Sequence, residues 1–203
     1  NLITLKFYEI KIKLSLSKKV FQPNLTTTCL ISAVKNIKIK KKIKVLDLGS
    51  GSGIIGIFVK KFFGKNVDIF FSDKSNHAVK MIENNLKINK IKGFVKQSDI
   101  FEKWEGHKFD LIINDISAID ENIANKLWYN RFIPHNCGDN GINLSKKVIE
   151  KSIFFLNKNG IILTPLISLS DTKKIEKIIK HSFKKSKEVF YKEWPAPKEL
   201  INK

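Results

Sequence analysis

The sequence predicts an α/β fold: one doubly wound, mostly parallel sheet with helices on both faces, preceded by a short N-terminal β/α extension. Three observations carry this. From residue 43 onward strand-like and helix-like segments alternate, the pattern of a parallel sheet covered on both sides. An apolar run, Val45-Leu46-Asp47-Leu48, passes straight into Gly49-Ser50-Gly51-Ser52-Gly53 and then into a helical segment. The 203 residues are the size of one ordinary domain, and an apolar content of 42% is enough for a sizeable core.

In the extension, residues 1–42, the period-two alternation over residues 8–16 predicts a strand with one buried face. Phe21-Gln22-Pro23-Asn24 breaks it, and the apolar spacing over residues 25–34 suits a short helix. Residues 38–44 are almost continuous Lys and Ile and lead into the first core strand. The remaining residues, 43–203, are expected to form one unit. Strands are predicted at 43–48, 67–72, 94–97, 109–114, 160–165 and 188–191, and helices at 54–63, 76–89, 144–156 and 171–183. Between the fourth of these strands and the helix at 144, residues 115–141 show no periodicity, a length usually reserved for functional loops. This segment holds Trp128, Tyr129, Arg131, Pro134 and His135 and is a candidate cover for a substrate.

Composition narrows the function classes. No apolar stretch approaches the roughly 20 residues of a membrane-spanning helix, and the first residues lack a secretory signal, so a soluble, cytoplasmic protein is expected. Cys29 and Cys137 share no metal-site or redox spacing and are expected as thiols; no metal is expected. A net charge of +19 raises nucleic acid as a partner. Yet Arg131 is the only arginine, and arginine is the residue suited to bidentate phosphate recognition. A solvated lysine surface is therefore favoured over a dedicated nucleic-acid face. His77, His107, His135 and His181 have no triad partners in view.

The glycine-rich turn is the most informative stretch. Glycines where a strand feeds a helix let a ligand approach the backbone. Gly51, Gly53 and Gly56 also satisfy the dinucleotide pattern GxGxxG, which leaves an NAD-dependent oxidoreductase open. Asp73 ends the next strand, a position from which a carboxylate can accept ribose hydroxyls; capping the following helix is its alternative, although Ser75 or Asn76 would serve there as well. Asp99 and Ile100 follow the third strand, where Asp99 is otherwise a solvated turn residue. Asn114 and Asp115 end the fourth, where an Asn is otherwise a common turn residue.

An acid preceding the loop, in the order Asp47-Leu48-Gly49-x-Gly51-x-Gly53, resembles motif I of class I S-adenosylmethionine-dependent methyltransferases. The likeness extends from residue 20 to 165. Val20-Phe21-Gln22-Pro23-Asn24 with Thr26 to Thr28 resembles the loop before motif I in the small-domain group. Residues 138–144 and 156–163 resemble the HemK-type glutamine enzymes. By this resemblance Asp47, Gly49, Gly51 and Gly53 receive the amino-acid end of S-adenosylmethionine, Asp73 its ribose, and Asp99 and Ile100 its adenine. Asn114 occupies the first place of that family's Asn-Pro-Pro-Tyr motif and would position the acceptor nitrogen; Asp115 stands where the family has proline, as a companion proton or hydrogen-bond acceptor.

The resemblance thus implies methyl transfer to an amine or amide nitrogen of a macromolecule, a protein being preferred and ribosomal RNA next. Because both prolines and the tyrosine are missing, a non-catalytic adaptor that keeps the cofactor pocket stays open.

Overall fold

The computed structural model describes residues 1–116, 118–124, 137 and 139–195. Trp128, Tyr129, Arg131, Pro134 and His135, the candidate substrate cover, lie outside the described residues.

The N-terminal alternation folds as a hairpin rather than the single strand expected over 8–16. Strands β1 (Leu2–Phe7) and β2 (Ile10–Ser15) pair antiparallel, with Phe7 opposite Ile10. Tyr8 and Glu9 form the turn, and Tyr8 adopts a φ of 55°, a conformation that Gly or Asn would have announced. Helix α1 (Leu25–Lys35) follows, opened by a capping box in which Asn24 and Thr27 satisfy each other's backbone amides.

The main sheet has the order β5-β4-β3-β6-β7, every pair parallel. Its strands are β3 (Ile43–Leu48), β4 (Val67–Asp73), β5 (Phe94–Gln97), β6 (Phe109–Asn114) and β7 (Leu156–Leu163). Helices α2 (Ile54–Phe63) and α3 (Asn76–Ile88) connect the first three. The one-turn α4 (Glu121–Ala124), α5 (Asn143–Ser152) and α6 (Thr172–Ser182) follow β6. From β3 the chain winds outward through β4 and β5, then returns to β6 on the other side of β3. Between β3 and β6 lies the topological switch point, and ligands bind such sheets at the carboxyl ends of the strands there.

Successive strand residues face opposite layers. Ile69 and Phe71 join Val45, Phe58 and Ile82 on one face, while Phe70 joins Leu46, Trp104 and Phe109 on the other. Ile12 and Leu14 of β2 belong to the first cluster, so the hairpin shares the core of the sheet.

Several elements differ from expectation. The helix predicted to reach 156 stops at Ser152. Strand β7 starts earlier, at Leu156, through an irregularity in its pairing with β6, helped by the left-handed φ of 68° at Asn159. No strand forms over residues 188–191, where Phe190 and Tyr191 stay exposed rather than burying a face. Helix α4 inside the long loop was not legible: Asp120 caps it, accepting the amides of Asn122 and Ile123 at Oδ1 and that of Asn140 at Oδ2. Among the described residues no helix is long and apolar enough to cross a membrane, and no cluster of metal-ligating side chains occurs.

Candidate functional site

A cavity of about 490 Å³ opens at the carboxyl ends of β3, β4 and β6, within the usual range for small-molecule sites. Of the residues singled out in the sequence, Gly49, Gly51, Asp73, Asp99, Ile100 and Asp115 line it. Asp47, Gly53 and Asn114 stand behind this wall.

The turn after β3 is held to β4 by backbone. Gly49 and Ser50 amides both donate to the Ser72 carbonyl, at 2.8 and 3.0 Å. The Ser50 hydroxyl donates to the Asp47 carbonyl at 2.6 Å, and its oxygen accepts the Ser72 amide. Gly49 has a φ of 71°, and a Cβ there would meet Cγ2 of Ile116 at 2.6 Å, so the loop passes β6's exit with no room for a side chain.

Asp47 is fully buried. Its Oδ2 accepts the Gly56 amide at 2.8 Å, while Oδ1 has no partner among the described residues. Burial, against the Gly56 hydrogen bond and with the nearby Asp115 and Asp73 charges, pushes its carboxyl up to about 8. Gly56 is required for close packing: a Cβ would lie 2.2 Å from the Phe71 ring.

Asp73 presents a carboxylate already oriented by backbone. Oδ2 accepts from the Gly51 amide at 2.9 Å and Oδ1 from the Ser75 amide at 2.8 Å. Each oxygen keeps a further lone pair, enough for two vicinal hydroxyls. Burial raises its pKa despite these bonds. The cap of α3 is Ser75, which accepts the Ala78 amide, so Asp73 is released from the capping role.

Asp99 is tied to Lys74 at 2.9 Å, and Ile100 beside it has a φ of 52°. A β-branched residue in the left-handed region is strained, and such strain concentrates at ligand-binding segments. Asn114 is almost fully buried; its Nδ2 donates to Thr164 Oγ1 at 3.1 Å and its Oδ1 accepts the Ile116 amide at 3.3 Å. Asp115 is half-buried and accepts the Thr27 hydroxyl at 2.9 Å. Burial, opposed by that hydrogen bond, pushes its carboxyl up to about 7.

Thr27, Ser50 and Lys74 were missed as site residues by sequence reasoning. For Thr27 the capping pattern Asn24-x-x-Thr27 is visible, but its reach to Asp115 is not. On the far wall, Leu144 ends the 138–144 stretch and Pro165 ends the likeness, but neither was singled out as a site residue, and Ile167 lies beyond it.

The order of the strands, the acid-led glycine turn and the cavity at the switch point define a Rossmann-like methyltransferase fold. The family model of the methyltransferase small domain matches residues 20–126, and the chain belongs to that family. It is 32% identical over 162 residues to the release factor glutamine methyltransferase of Borreliella burgdorferi, covering 75% of this chain and 54% of that protein. It is 30% identical over 125 residues to the ribosomal protein uL3 glutamine methyltransferase of Francisella tularensis, covering 59% of this chain and 40% of the relative. The chain therefore spans about half the length of these relatives. Among solved structures, the T. thermophilus 16S rRNA N2 methyltransferase in complex with AdoMet and guanosine superposes with a TM-score of 0.67 at 14% identity, covering 91% of this chain and 46% of that one.

Proposed function

We propose that the cavity binds S-adenosylmethionine and that the protein transfers its methyl group to an amine or amide nitrogen of a macromolecule, a protein side chain before ribosomal RNA. The observation that carries this reading is electrostatic. In a chain of net charge +19, Asp73, Asp99 and Asp115 line the cavity, where the described residues bring only Lys19 and Lys74, the latter paired with Asp99. A dinucleotide's pyrophosphate would meet these carboxylates, whereas a ligand carrying an ammonium and a sulfonium is matched by them. The side-chain-free approach at Gly49 fits such a ligand too.

When bound, the cofactor supplies a methyl group on a positively charged sulfur, so the protein's contribution is alignment and exclusion of water. In this reading Asp73 accepts the ribose hydroxyls, and Asp99 and Ile100 border the adenine. Gly49 and Gly51 give the amino-acid end access to backbone, with Gly53 and Asp47 holding the loop from behind. Asp115 presents its carboxylate at the acceptor end; Asn114 acts there by fixing the backbone at Ile116. Residues 1–42 and 43–203 work as one unit, a reading supported by the core they share at Ile12 and Leu14. The likeness to two glutamine methyltransferases supports a protein acceptor.

Calorimetry with S-adenosylmethionine, S-adenosylhomocysteine and NAD tests the cofactor. Tight NAD binding with no response to either sulfur ligand would overturn the reading. Labelled-methyl transfer to fractionated protein and RNA then tests the acceptor class, and separates an enzyme from an adaptor that only binds.

A further inference from the structure

Asp115 is held from a distant part of the chain. Thr27 lies on α1, 88 residues away in sequence, and is almost fully buried, so water does not compete for its hydroxyl. That hydroxyl has one proton and two acceptors in reach, Asp115 Oδ2 at 2.9 Å and Asn24 Oδ1 at 3.3 Å. The shorter, charge-assisted contact takes the proton, while the Asn24 amide donates to Thr27 Oγ1 at 3.4 Å. The capping box therefore fixes the donor, and the donor fixes the carboxylate.

The ionisable groups around Asp115 do not neutralise it. On β3, burial pushes the Asp47 carboxyl up to about 8, and on α1 burial raises the Cys29 thiol, with Lys192 favouring and Asp115 disfavouring its thiolate. Across the cavity stand Asp73, Lys19 and the Lys74–Asp99 pair. Burial and the Thr27 hydroxyl are the influences on its own titration, and no lysine among the described residues forms an ion pair with it. Once ionised, this carboxylate has a hydroxyl donor and, among the described residues, no ion-paired cation, so a positive charge on a ligand in the cavity it lines stabilises it.

We propose that Asp115, held by Thr27, makes the cavity select a cationic sulfonium ligand over the neutral thioether, so that loss of the methyl group itself weakens binding. In the transfer the new bond forms between carbon and the acceptor nitrogen, the carbon–sulfur bond breaks, and its electron pair stays on sulfur. Sulfur thereby loses its positive charge, and the nitrogen's proton leaves to solvent. The thioether then lacks the charge that Asp115 stabilised. Thr27 is a positioning residue in this scheme. The proposal rests on the cavity being an S-adenosylmethionine site.

The experiment is calorimetric titration with S-adenosylmethionine and S-adenosylhomocysteine between pH 5.5 and 8.5. Both ligands share the same amino and carboxyl groups, so their titration cancels in the ratio of affinities. In the wild-type chain the preference for the sulfonium should grow about tenfold over this range as Asp115 ionises, an effect of the size expected for opposite charges several ångströms apart near a surface. Thr27→Val should move the midpoint up by about one pH unit, because it removes a hydrogen bond to the ionised form, and Thr27→Ser should restore it. Asp115→Asn should remove most of the pH dependence while thioether affinity stays within about twofold. A flat wild-type ratio overturns the proposal, as does an Asp115→Asn variant of unchanged melting temperature that keeps the full dependence. In both cases the cofactor reading stands, because both ligands bind. Absence of binding by either ligand to the wild type overturns the cofactor reading and this proposal together.

Discussion

The amide of Gly56 donates to Oδ2 of Asp47 over 2.8 Å, across the turn that separates β3 from α2. This single bond closes the glycine loop on itself: the acid one residue before the strand's end holds the first turn of the helix that follows. The third glycine of the GxGxxG spacing is also required by packing, since Gly56 lies against Phe71.

Gly56→Ala should accordingly be costly. Its Cβ would lie 2.2 and 2.7 Å from Phe71 ring atoms and 3.0 Å from Asp47 Oδ2. Overpacking of a buried contact typically costs about 1–3 kcal/mol, and urea denaturation should show at least that loss. A variant as stable as the wild type would mean that α2 shifts freely on the sheet.

Asp73→Ala should weaken S-adenosylmethionine and S-adenosylhomocysteine alike, by about 1.5–3 kcal/mol, the scale of a hydrogen bond to a charged group. The two ligands share the ribose, which distinguishes this residue from Asp115. Calorimetry at fixed pH measures it, and unchanged affinity with an intact fold would take Asp73 out of the site.

Stability without ligand should fall as pH rises. Asp47 and Asp115 have folded pKa values pushed up to about 8 and about 7 from an ordinary value of 3.8. Between these limits the folded chain holds protons that the unfolded chain has released, so each group's contribution is complete below about pH 4 and lost as pH passes through its folded value. The slope per group cannot exceed about 1.4 kcal/mol per pH unit. Urea midpoints measured from pH 5 to 8.5 should decline, and Asp47→Asn should flatten the curve. A midpoint that stays level over this range would show the carboxylates to be ionised throughout.

On the proposed reading, Asn114→Ala should lower methyl transfer while leaving cofactor affinity nearly normal, since the residue stands behind the cavity wall and holds the Ile116 amide. Thr164→Val, which removes the partner of Asn114 Nδ2, should reproduce part of the loss. Single-turnover assays with labelled cofactor and the fraction of extract that accepts methyl would read both. Full turnover in both variants would assign this segment a structural role only.

Much of this protein was legible along the chain. Alternating apolar segments and the acid-led glycine turn determined the parallel sheet, the position of the loop and the placement of Asp73, because strand and helix periodicities and glycine's backbone freedom are local properties. The hairpin turn at Tyr8-Glu9 was not, since its positive φ falls on a residue type that seldom adopts it. Nor was the strand expected at 188–191, because alternation specifies a face to bury and not a partner to pair with.

Only tertiary structure decided which of the site residues touch the cavity. It set Asp115 on its wall and Asn114 behind it, although the two are adjacent, because successive residues leaving a strand point in opposite directions. It also brought Thr27 of the N-terminal helix to Asp115, and Leu144, Pro165 and Ile167 to the opposite wall. Contacts between residues so far apart in sequence depend on how the layers pack, and no local pattern encodes them.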